Sequence, residues 1–501
     1  MNIMMLLEMA QSAFPDRVAF KNADDNTSIT FAELYRQSGT AALEFQRSGS
    51  SHMSILDVNS LAMPLGLFGS AWAGLPFVPI NYRLTAAEIE ALVSRVTPTY
   101  LITEPQRIVG YEGRDEVMAT ARSEFLAVSA AASEQAEPWS MDPEDLAVLL
   151  FTSGTTGEPK AAVLRQKHMV SYILSSVEFA GAGEEETSLV CVPPYHIAGI
   201  TAVLSSVYSG RRVVQLSNFT AERWIELARS ENITSAFVVP TMLARIVEAL
   251  EGESSANMPK LGSLSFGGGK MPLPVLERAM SLFPDTDFTN AYGLTETSST
   301  ISVLGPEEHR ECAASDDDYV KRRLVSVGVP LPGIEIDIRD DYGKSLAADQ
   351  SGEIFVRGEQ VSGEYRGIGK LTDDEGWFPT KDRGFTDTEG FLFLEGRADD
   401  VIVRGGENLS PGEIEDVLLQ HPAVADIAVV GIPDQQWGEG IAAVVVLKAG
   451  AQAEVLELQD WVKRQLRSSR VPQLIRFADE LPYNATGKLL RREVKASLLA
   501  E

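Results

Sequence analysis

Cysteine, histidine and positive charge are all scarce in this chain. Two cysteines, Cys191 and Cys312, in 501 residues leave no disulfide framework. Both are expected as reduced thiols, with Cys191 lying in an apolar run as a small hydrophobe. The five histidines show no metal-ligand spacing, so no zinc centre is expected. Lysine and arginine total 43 against 71 aspartates and glutamates, a net charge of −28. That balance argues against nucleic acid or an anionic membrane surface as a partner. A polyanionic ligand must then be met by a local basic pocket. Long uncharged runs are also rare. The one from Leu61 to Ile80 is broken by Pro64, Pro76, Pro79 and three glycines, so it reads as a buried helix and then a strand, not a membrane span. The N-terminus, Met1-Asn-Ile-Met-Met-Leu-Leu-Glu8, lacks a basic region and a cleavage site, and a cytoplasmic location is expected.

What is present is an ordinary globular composition, 44% apolar, in a chain long enough for two to four domains at about 150 residues each. Short apolar runs (Tyr100 to Thr103, Leu146 to Phe151, Leu189 to Val192, Arg212 to Leu216, Ala236 to Val239) alternate with helical spacing at Ala221 to Ser230 and Pro240 to Leu250. This α/β alternation predicts parallel sheets covered by helices. Ala119 to Glu137 reads as a helix and a surface connection. From Val327 the texture changes, and Val329 to Arg339 and Gly352 to Arg357 alternate as antiparallel strands. Beyond Gly396-Arg-Ala-Asp-Asp400 a compact strand-and-helix unit is expected, with helices over Gly412 to His421 and Val455 to Leu466.

Four segments carry chemistry. Phe151-Thr-Ser-Gly-Thr-Thr-Gly-Glu-Pro-Lys160 puts four hydroxyls, two glycines and a lysine in one loop after an apolar run. Glycines admit backbone N–H groups close to an anion, and Lys160 adds a point charge. It is not the Walker pattern, and Ala161 to Leu164 reads as another strand, so the loop joins two strands. An ordinary surface turn has similar composition. Asn290-Ala-Tyr-Gly-Leu-Thr-Glu-Thr297 combines an aromatic face, hydroxyls and a carboxylate; it also reads as a strand end entering a Thr-capped helix. Gly376-Trp-Phe-Pro-Thr-Lys-Asp-Arg-Gly384 offers Asp382 to a pair of ribose hydroxyls, or else an Asx-type turn, and Gly396-Arg397 follows shortly. Asn484-Ala-Thr-Gly-Lys-Leu-Leu-Arg-Arg492 places Lys488 beside a glycine in a basic run that also suits a solvated helix face.

Jointly these segments resemble one family, the adenylate-forming enzymes: acyl- and aryl-CoA ligases, luciferases and the adenylation domains of peptide synthetases. The resemblance covers nearly the whole chain. Leu6 to Phe20 looks like the family's opening helix and Pro79-Ile-Asn-Tyr-Arg-Leu84 like its early strand-to-helix join. Pro193-Pro-Tyr-His-Ile-Ala-Gly199 looks like the aromatic-histidine segment of the acyl pocket. Gly267-Gly-Gly-Lys-Met-Pro272 looks like the glycine turn along adenine and the acyl group. Gly396 to Glu415 matches the hinge and the start of the mobile cap.

The resemblance implies a large N-terminal core over residues 1–396, in which 327–396 form a β-barrel-like, mostly antiparallel part. A hinge at 397–400 and a small mobile α+β cap over 401–501 follow. It implies a two-step ligase using ATP, Mg²⁺ and coenzyme A: acid plus ATP gives acyl-AMP and pyrophosphate, and a thiol then displaces AMP. Thr152, Ser153, Gly154, Thr155, Thr156, Gly157 and Lys160 would hold the β- and γ-phosphates. Thr295 would meet the α-phosphate and Glu296 the Mg²⁺. Tyr292 would stack on adenine beside Gly268, Gly269, Asn290, Ala291 and Gly293, and Asp382 and Arg397 would hold the ribose. Lys488 would bridge the incoming carboxylate and the α-phosphate. Asp399 would be the hinge. Gly405, Gly406, Glu407 and Trp437 would face the pantetheine tunnel. His196 would line that tunnel or the acyl pocket, or simply pack, and Gly199, Ile200, Val239, Gly267, Gly268 and Gly293 would complete the pocket.

Those pocket segments carry no basic residue for a second carboxylate and no acidic partner for an ammonium, so a fatty, aromatic or polycyclic acid is expected rather than an amino acid. No carrier domain follows Lys488, which favours free CoA as acceptor; a carrier protein is the alternative, and a homodimer stays open. A luciferase-like oxidase and a non-catalytic nucleotide sensor are the readings outside the ligase class, and retention of Lys488, Glu296 and the phosphate loop argues against the second. One departure stands out. The family's ribose turn is usually Thr-Gly-Asp, whereas here it is Thr380-Lys381-Asp382. Lysine enters glycine-type backbone conformations at a cost. It either points to solvent or weakens ATP use, which keeps open a variant that performs mainly the thioester step on a supplied adenylate.

Overall fold

The computed structural model describes residues 1–131, 136–152, 159–397, 400–404, 407–434, 436–484 and 489–500. Among these, the strands form four sheets. The first has nine strands in the order Val329–Pro330, Ser299–Leu304, Asp287–Leu294, Ser263–Gly267, Ser235–Val238, Thr187–Val190, Arg212–Gln215, Val18–Asn22, Ser28–Thr30. Its six inner strands, from Asp287–Leu294 to Val18–Asn22, pair in parallel. The second has eight strands. Val117–Ala121, Thr99–Thr103, His52–Leu56, Phe77–Pro79 and Leu146–Thr152 run parallel, and Lys160–Arg165, Glu364–Tyr365 and Gly369–Lys370 complete it antiparallel.

The two large sheets share one core. The helices Met4–Ala13, Phe31–Arg47, Ala62–Ala73 and Ile197–Ser209 bury Leu7, Phe31, Phe68 and Leu204 against Phe20 and Val213 of one sheet and Met53 and Phe77 of the other. The outer face of the nine-stranded sheet is covered by Ala221–Ser230, Pro240–Ala249 and Leu273–Leu282, and that of the eight-stranded sheet by Ala86–Ser94. The helix starts are written locally. Thr30 with Glu33 and Thr85 with Glu88 form capping boxes, which satisfy backbone N–H groups that a helix start leaves open.

Several boundaries differ from the sequence reading. The opening helix ends at Ala13, ahead of Pro15, and Val18–Asn22 is a strand. Val117–Ala121 is likewise a strand, so the helix expected from Ala119 begins at Arg122 and ends at Ala131. Val329 to Arg339 is not one strand: a turn through Gly333, at φ 80°, sends Val329–Pro330 to the nine-stranded sheet and Glu335–Arg339 to a separate sheet. That third sheet is antiparallel and four-stranded, with Gly352–Arg357, Phe378–Thr386 and Leu392–Arg397. A fourth sheet, built from residues after Ile402, carries helices on both faces. Among the described residues no helix is long and apolar enough to cross a membrane.

Candidate active site

Leu146–Thr152 and Lys160–Arg165 form an antiparallel hairpin in which Thr152 pairs with Lys160. The loop between them, with Ser153, Gly154, Thr155, Thr156 and Gly157, lies outside the described residues. Both ends of the loop are therefore held at one point of the eight-stranded sheet, as expected for a loop between strands. Thr152 donates its hydroxyl to the Lys160 carbonyl at 3.4 Å. The Lys160 ammonium sits 5.6 Å from the ring centre of Tyr365, a residue on the strand that pairs with the hairpin.

Tyr365 links the hairpin to the second motif by donating its hydroxyl to Glu296 Oε1. Burial first, and then the Glu296 charge, push the Tyr365 phenol up, so it stays protonated as the donor. Glu296 itself is buried, on the short turn Thr295–Thr297 that follows the strand Asp287–Leu294. Its carbonyl accepts from the backbone N–H groups of Ser362 and Gly363 at 2.9 and 3.2 Å. The chain then reverses through Ser298 and Ser299, both at positive φ, 57° and 123°. Gln360 clamps this corner, donating to the carbonyls of Thr297 and Thr300 at 3.0 and 2.8 Å. Nothing in the sequence pattern marks Gln360. Thr295 is half-buried at the start of the turn.

The third motif closes over the second. Tyr292 donates to Asp382 Oδ2 at 2.6 Å, and Arg397 donates to Asp382 Oδ1 at 2.8 Å and to the Thr380 carbonyl at 3.1 Å. Burial opposes the charge of Arg397, yet its pKa is raised, because Asp382 and, further off, Glu296 hold the guanidinium charged. The Tyr292 ring packs with Ile301, Val327 and Ile354.

Asp382 reaches this position through a bulge. Glu353 opposes Arg383 and Phe355 opposes Pro379, so Ile354 alone faces Thr380, Lys381 and Asp382. Lys381 takes the left-handed conformation the bulge requires, at φ 63°. Its side chain is 55% exposed and pairs with Glu353 at 3.1 Å. The lysine thus adopts the backbone form expected of a glycine and turns its charge onto Glu353.

The glycine turn lies at the same end of the nine-stranded sheet. Gly267 pairs with Ala291, and a Cβ on Gly267 would collide with the Ala291 carbonyl. A Cβ on Gly293 would collide with the Ser299 carbonyl. These two positions need glycine because backbones approach each other there. Gly268, at φ 80°, faces Val239, and Gly269 faces Pro240. Asn290 turns inward and donates to the Ser326 carbonyl at 2.9 Å. Gly199 lies against the Pro193 carbonyl, and Ile200 is wholly buried in the core between the large sheets.

His196 precedes the helix Ile197–Ser209 and contacts Tyr195, with ring centres 4.5 Å apart. Burial first, and then Arg83, hold the imidazole neutral with a pKa pushed down to about 3. A basic side chain acts on this histidine from outside the segments expected to form the pocket. Arg83, from the strand-to-helix join some 110 residues earlier, lies 5.6 Å from the Tyr82 ring, and Tyr82 packs on Tyr195.

On the cap, Asp399, Gly405, Gly406 and Lys488 lie outside the described residues, as does the side chain of Glu407. Their neighbours are held firmly. Tyr483 bridges Leu489 on either side of the Lys488 segment, and Arg491 pairs with Glu415 at 2.8 Å and with Asp400 at 3.5 Å. Trp437 is 44% exposed, with Arg404 5.5 Å from its ring centre. The cap meets the core through Lys270, which donates to Asp416 at 2.6 Å and to the Gly412 carbonyl at 3.3 Å. Among the described residues no cluster of three or more histidine, cysteine or acidic side chains could hold a metal by itself. Cys191 and Cys312 are both buried free thiols.

The family model described as AMP-binding enzyme matches residues 7–366, and that of the AMP-binding enzyme C-terminal domain matches residues 413–488. The chain is 32% identical to the 2-succinylbenzoate–CoA ligase of Bacillus subtilis, covering 98% of this chain and 97% of that protein. It is 30% identical to a fatty acid–[acyl-carrier-protein] ligase of Streptomyces coeruleorubidus, covering 94% and 92%. Among solved structures, the o-succinylbenzoate CoA synthetase of Bacillus subtilis superposes with a TM-score of 0.84 at 30% identity, covering 98% of this chain and 97% of that one. That structure holds the acyl-adenylate intermediate.

Proposed function

The chain belongs to the AMP-binding enzyme family and is an ATP-dependent acid–thiol ligase, and we propose that it is an AMP-forming carboxylic acid–CoA ligase. The observation that carries this reading is the meeting of three motifs at one place. Lys160 at the hairpin base lies over Tyr365, which donates to Glu296, and Tyr292, four residues before Glu296 on the same segment, donates to Asp382, which Arg397 holds.

These residues fit a magnesium nucleotide. Glu296 offers a buried carboxylate, the hard oxygen that Mg²⁺ prefers, with the hydroxyls of Thr152 and Thr295 as further donors. When bound there, Mg²⁺ would neutralise phosphate charge. Asp382 and Arg397 would hold the ribose, with Tyr292 steadying Asp382 and lying against adenine. The acid's carboxylate oxygen would attack the α-phosphorus, and the bond to the β-phosphate oxygen would break, releasing pyrophosphate. Lys488 would sit between the two anions as they meet, a place where a cation lowers the barrier most. The cap would then turn at Asp399, bringing Gly405, Gly406, Glu407 and Trp437 to the thiol path. The thiolate would attack the acyl carbon, and the carbon–oxygen bond to AMP would break.

Lys381 bears on the alternative in which only the thioester step is performed. Its exposed side chain is paired with Glu353, which supports ordinary ATP use. A carrier protein remains the second acceptor, favoured by the relative that acts on one. The test is mass spectrometry of a reaction with MgATP, CoA and a panel of acids. An acyl-CoA mass with AMP is the expected result. Acyl-AMP without acyl-CoA would turn the reading to a carrier protein. Thioester from supplied acyl-adenylate alone would turn it to the thioester-only variant.

A further inference from the structure

Two residues after Glu296 the backbone takes a course that side chains rarely allow. Ser298 stands at φ 57° and ψ 17°, and Ser299 follows at φ 123°. Residues other than glycine persist at such angles only where their surroundings over-determine them, and they cluster at functional sites. The corner joins the strand Asp287–Leu294, which leads to Glu296, to the antiparallel strand Ser299–Leu304.

Gln360 is the residue that over-determines it. Its side chain lies in a residue only 2% exposed, and its amide nitrogen donates to the carbonyls of Thr297 and Thr300. Those two carbonyls bracket the two serines. A primary amide has two N–H donors, and both are used here. The Gln360 backbone carbonyl accepts from the Ser298 hydroxyl at 2.9 Å, so the middle of the corner is tied as well as its ends. The next residues of the same segment reach Glu296 itself. Ser362 and Gly363 donate to its carbonyl, and Tyr365 donates to its carboxylate. The stretch from Gln360 to Tyr365 therefore meets Glu296 at its backbone, at its side chain and at the corner behind it. Buried carbonyls that lose such a donor are costly to leave unpaired. Removing the Gln360 amide would let the corner relax and carry Glu296 with it.

We propose that Gln360 is a positioning residue for the magnesium site: by tying the positive-φ corner together it fixes the direction in which Glu296 presents its carboxylate, and so sets the metal affinity of the site. This rests on the reading in which Glu296 takes the Mg²⁺ of MgATP. Mg²⁺ demands near-ideal octahedral geometry with oxygens at about 2.1 Å, so its affinity falls when a ligand is displaced by a fraction of an ångström.

The test is metal binding without turnover. Mn²⁺, a paramagnetic stand-in for Mg²⁺, is titrated into the full-length enzyme with α,β-methylene-ATP, and the enzyme-bound signal is followed by electron paramagnetic resonance. Gln360→Met keeps the length of the side chain and loses both donors. Gln360→Ala also loses them but admits water to the two carbonyls. Both are expected to weaken Mn²⁺ binding about 5- to 20-fold, Ala the less. AMP has no β- or γ-phosphate for the metal to bridge, and its Kd should stay within about twofold. In turnover the loss should fall on the apparent KM for Mg²⁺, and raised Mg²⁺ should restore acid-dependent pyrophosphate release. Unchanged Mn²⁺ affinity in both variants would overturn the proposal. So would equal weakening of Mn²⁺ and AMP, or failure of both variants to fold, because Gln360 would then serve the fold alone. A wild type that takes up no Mn²⁺ would overturn the metal role of Glu296 and that of Gln360 together. The titration needs neither acid nor thiol. Absence of acyl-CoA from every acid would therefore overturn the CoA-ligase reading and leave Gln360 to be judged by the metal.

Discussion

On the nucleotide side of the site, polar groups hold one another. Tyr292 and Arg397 share Asp382, and Tyr365 holds Glu296. Across the molecule, where Tyr82, Tyr195 and His196 pack ring on ring, the same kinds of side chain present polar atoms with no partner among the described residues. The difference lies in what must be met. A nucleotide triphosphate is the same in every turnover, so its contacts are pre-assembled and cost little ordering on binding. Under the proposed function the acid, unlike the nucleotide, differs from one enzyme of this kind to another, and the groups expected to meet it need not be paired beforehand.

The contrast can be broken or sharpened by experiment. The largest effect is expected where the proposed reaction brings two anions together. Lys488→Ala should lower acid-dependent pyrophosphate release about 100- to 1,000-fold, while thioester formation from supplied acyl-adenylate continues; equal loss of both steps would remove Lys488 from the adenylation step. Next comes the pre-assembled side. Asp382→Ala strips the partner from both Tyr292 and Arg397 and should raise KM for ATP about 10- to 100-fold, with a much smaller change in KM for the acid. Parallel rises in both would mean that the two sides are not separate.

The acyl side predicts a flat pH response at His196. Its pKa, near 6.5 when unfolded and about 3 when folded, keeps the ring neutral between about pH 5 and 9. Its contribution to stability is fully present above the unfolded value and is lost as pH falls through about 3. Thermal melting followed from pH 7 down to 4 should show a shallower decline in His196→Gln than in wild type, and kcat/KM for the acid should show no inflection near 6.5 that this substitution removes. The smallest effect is expected at the turn. Lys381→Gly exchanges relief of a left-handed lysine against loss of an exposed ion pair, terms of about 1 kcal/mol each. Melting temperature should move by no more than about 2 °C and KM for ATP by less than about threefold. A large gain in ATP use would instead show that the lysine restrains adenylation.

Much of this molecule could be read from local pattern. Capped helices such as Ala221–Ser230, the hairpin around the Thr/Gly loop, and the alternation that yields parallel sheets depend on residues close in sequence. Where local signals conflicted, reading failed. Val329 to Arg339 looked continuous, and a single glycine turn at Gly333 divided it between two sheets.

By itself the sequence determined the family. The loop from Thr152 to Lys160, the Tyr292 to Glu296 segment, Asp382 with Arg397, and Lys488 are short local patterns that together mark an AMP-binding enzyme. Only the tertiary structure decided how they are held and what stands beside them. Gln360 clamps the corner after Glu296 from about 60 residues away. Arg83 stands beside Tyr82 and acts on His196, about 110 residues further along the chain. Lys270 holds the cap through Asp416. These are long-range partnerships set by how sheets and helices stack, and a side chain's own neighbours along the chain carry no record of them.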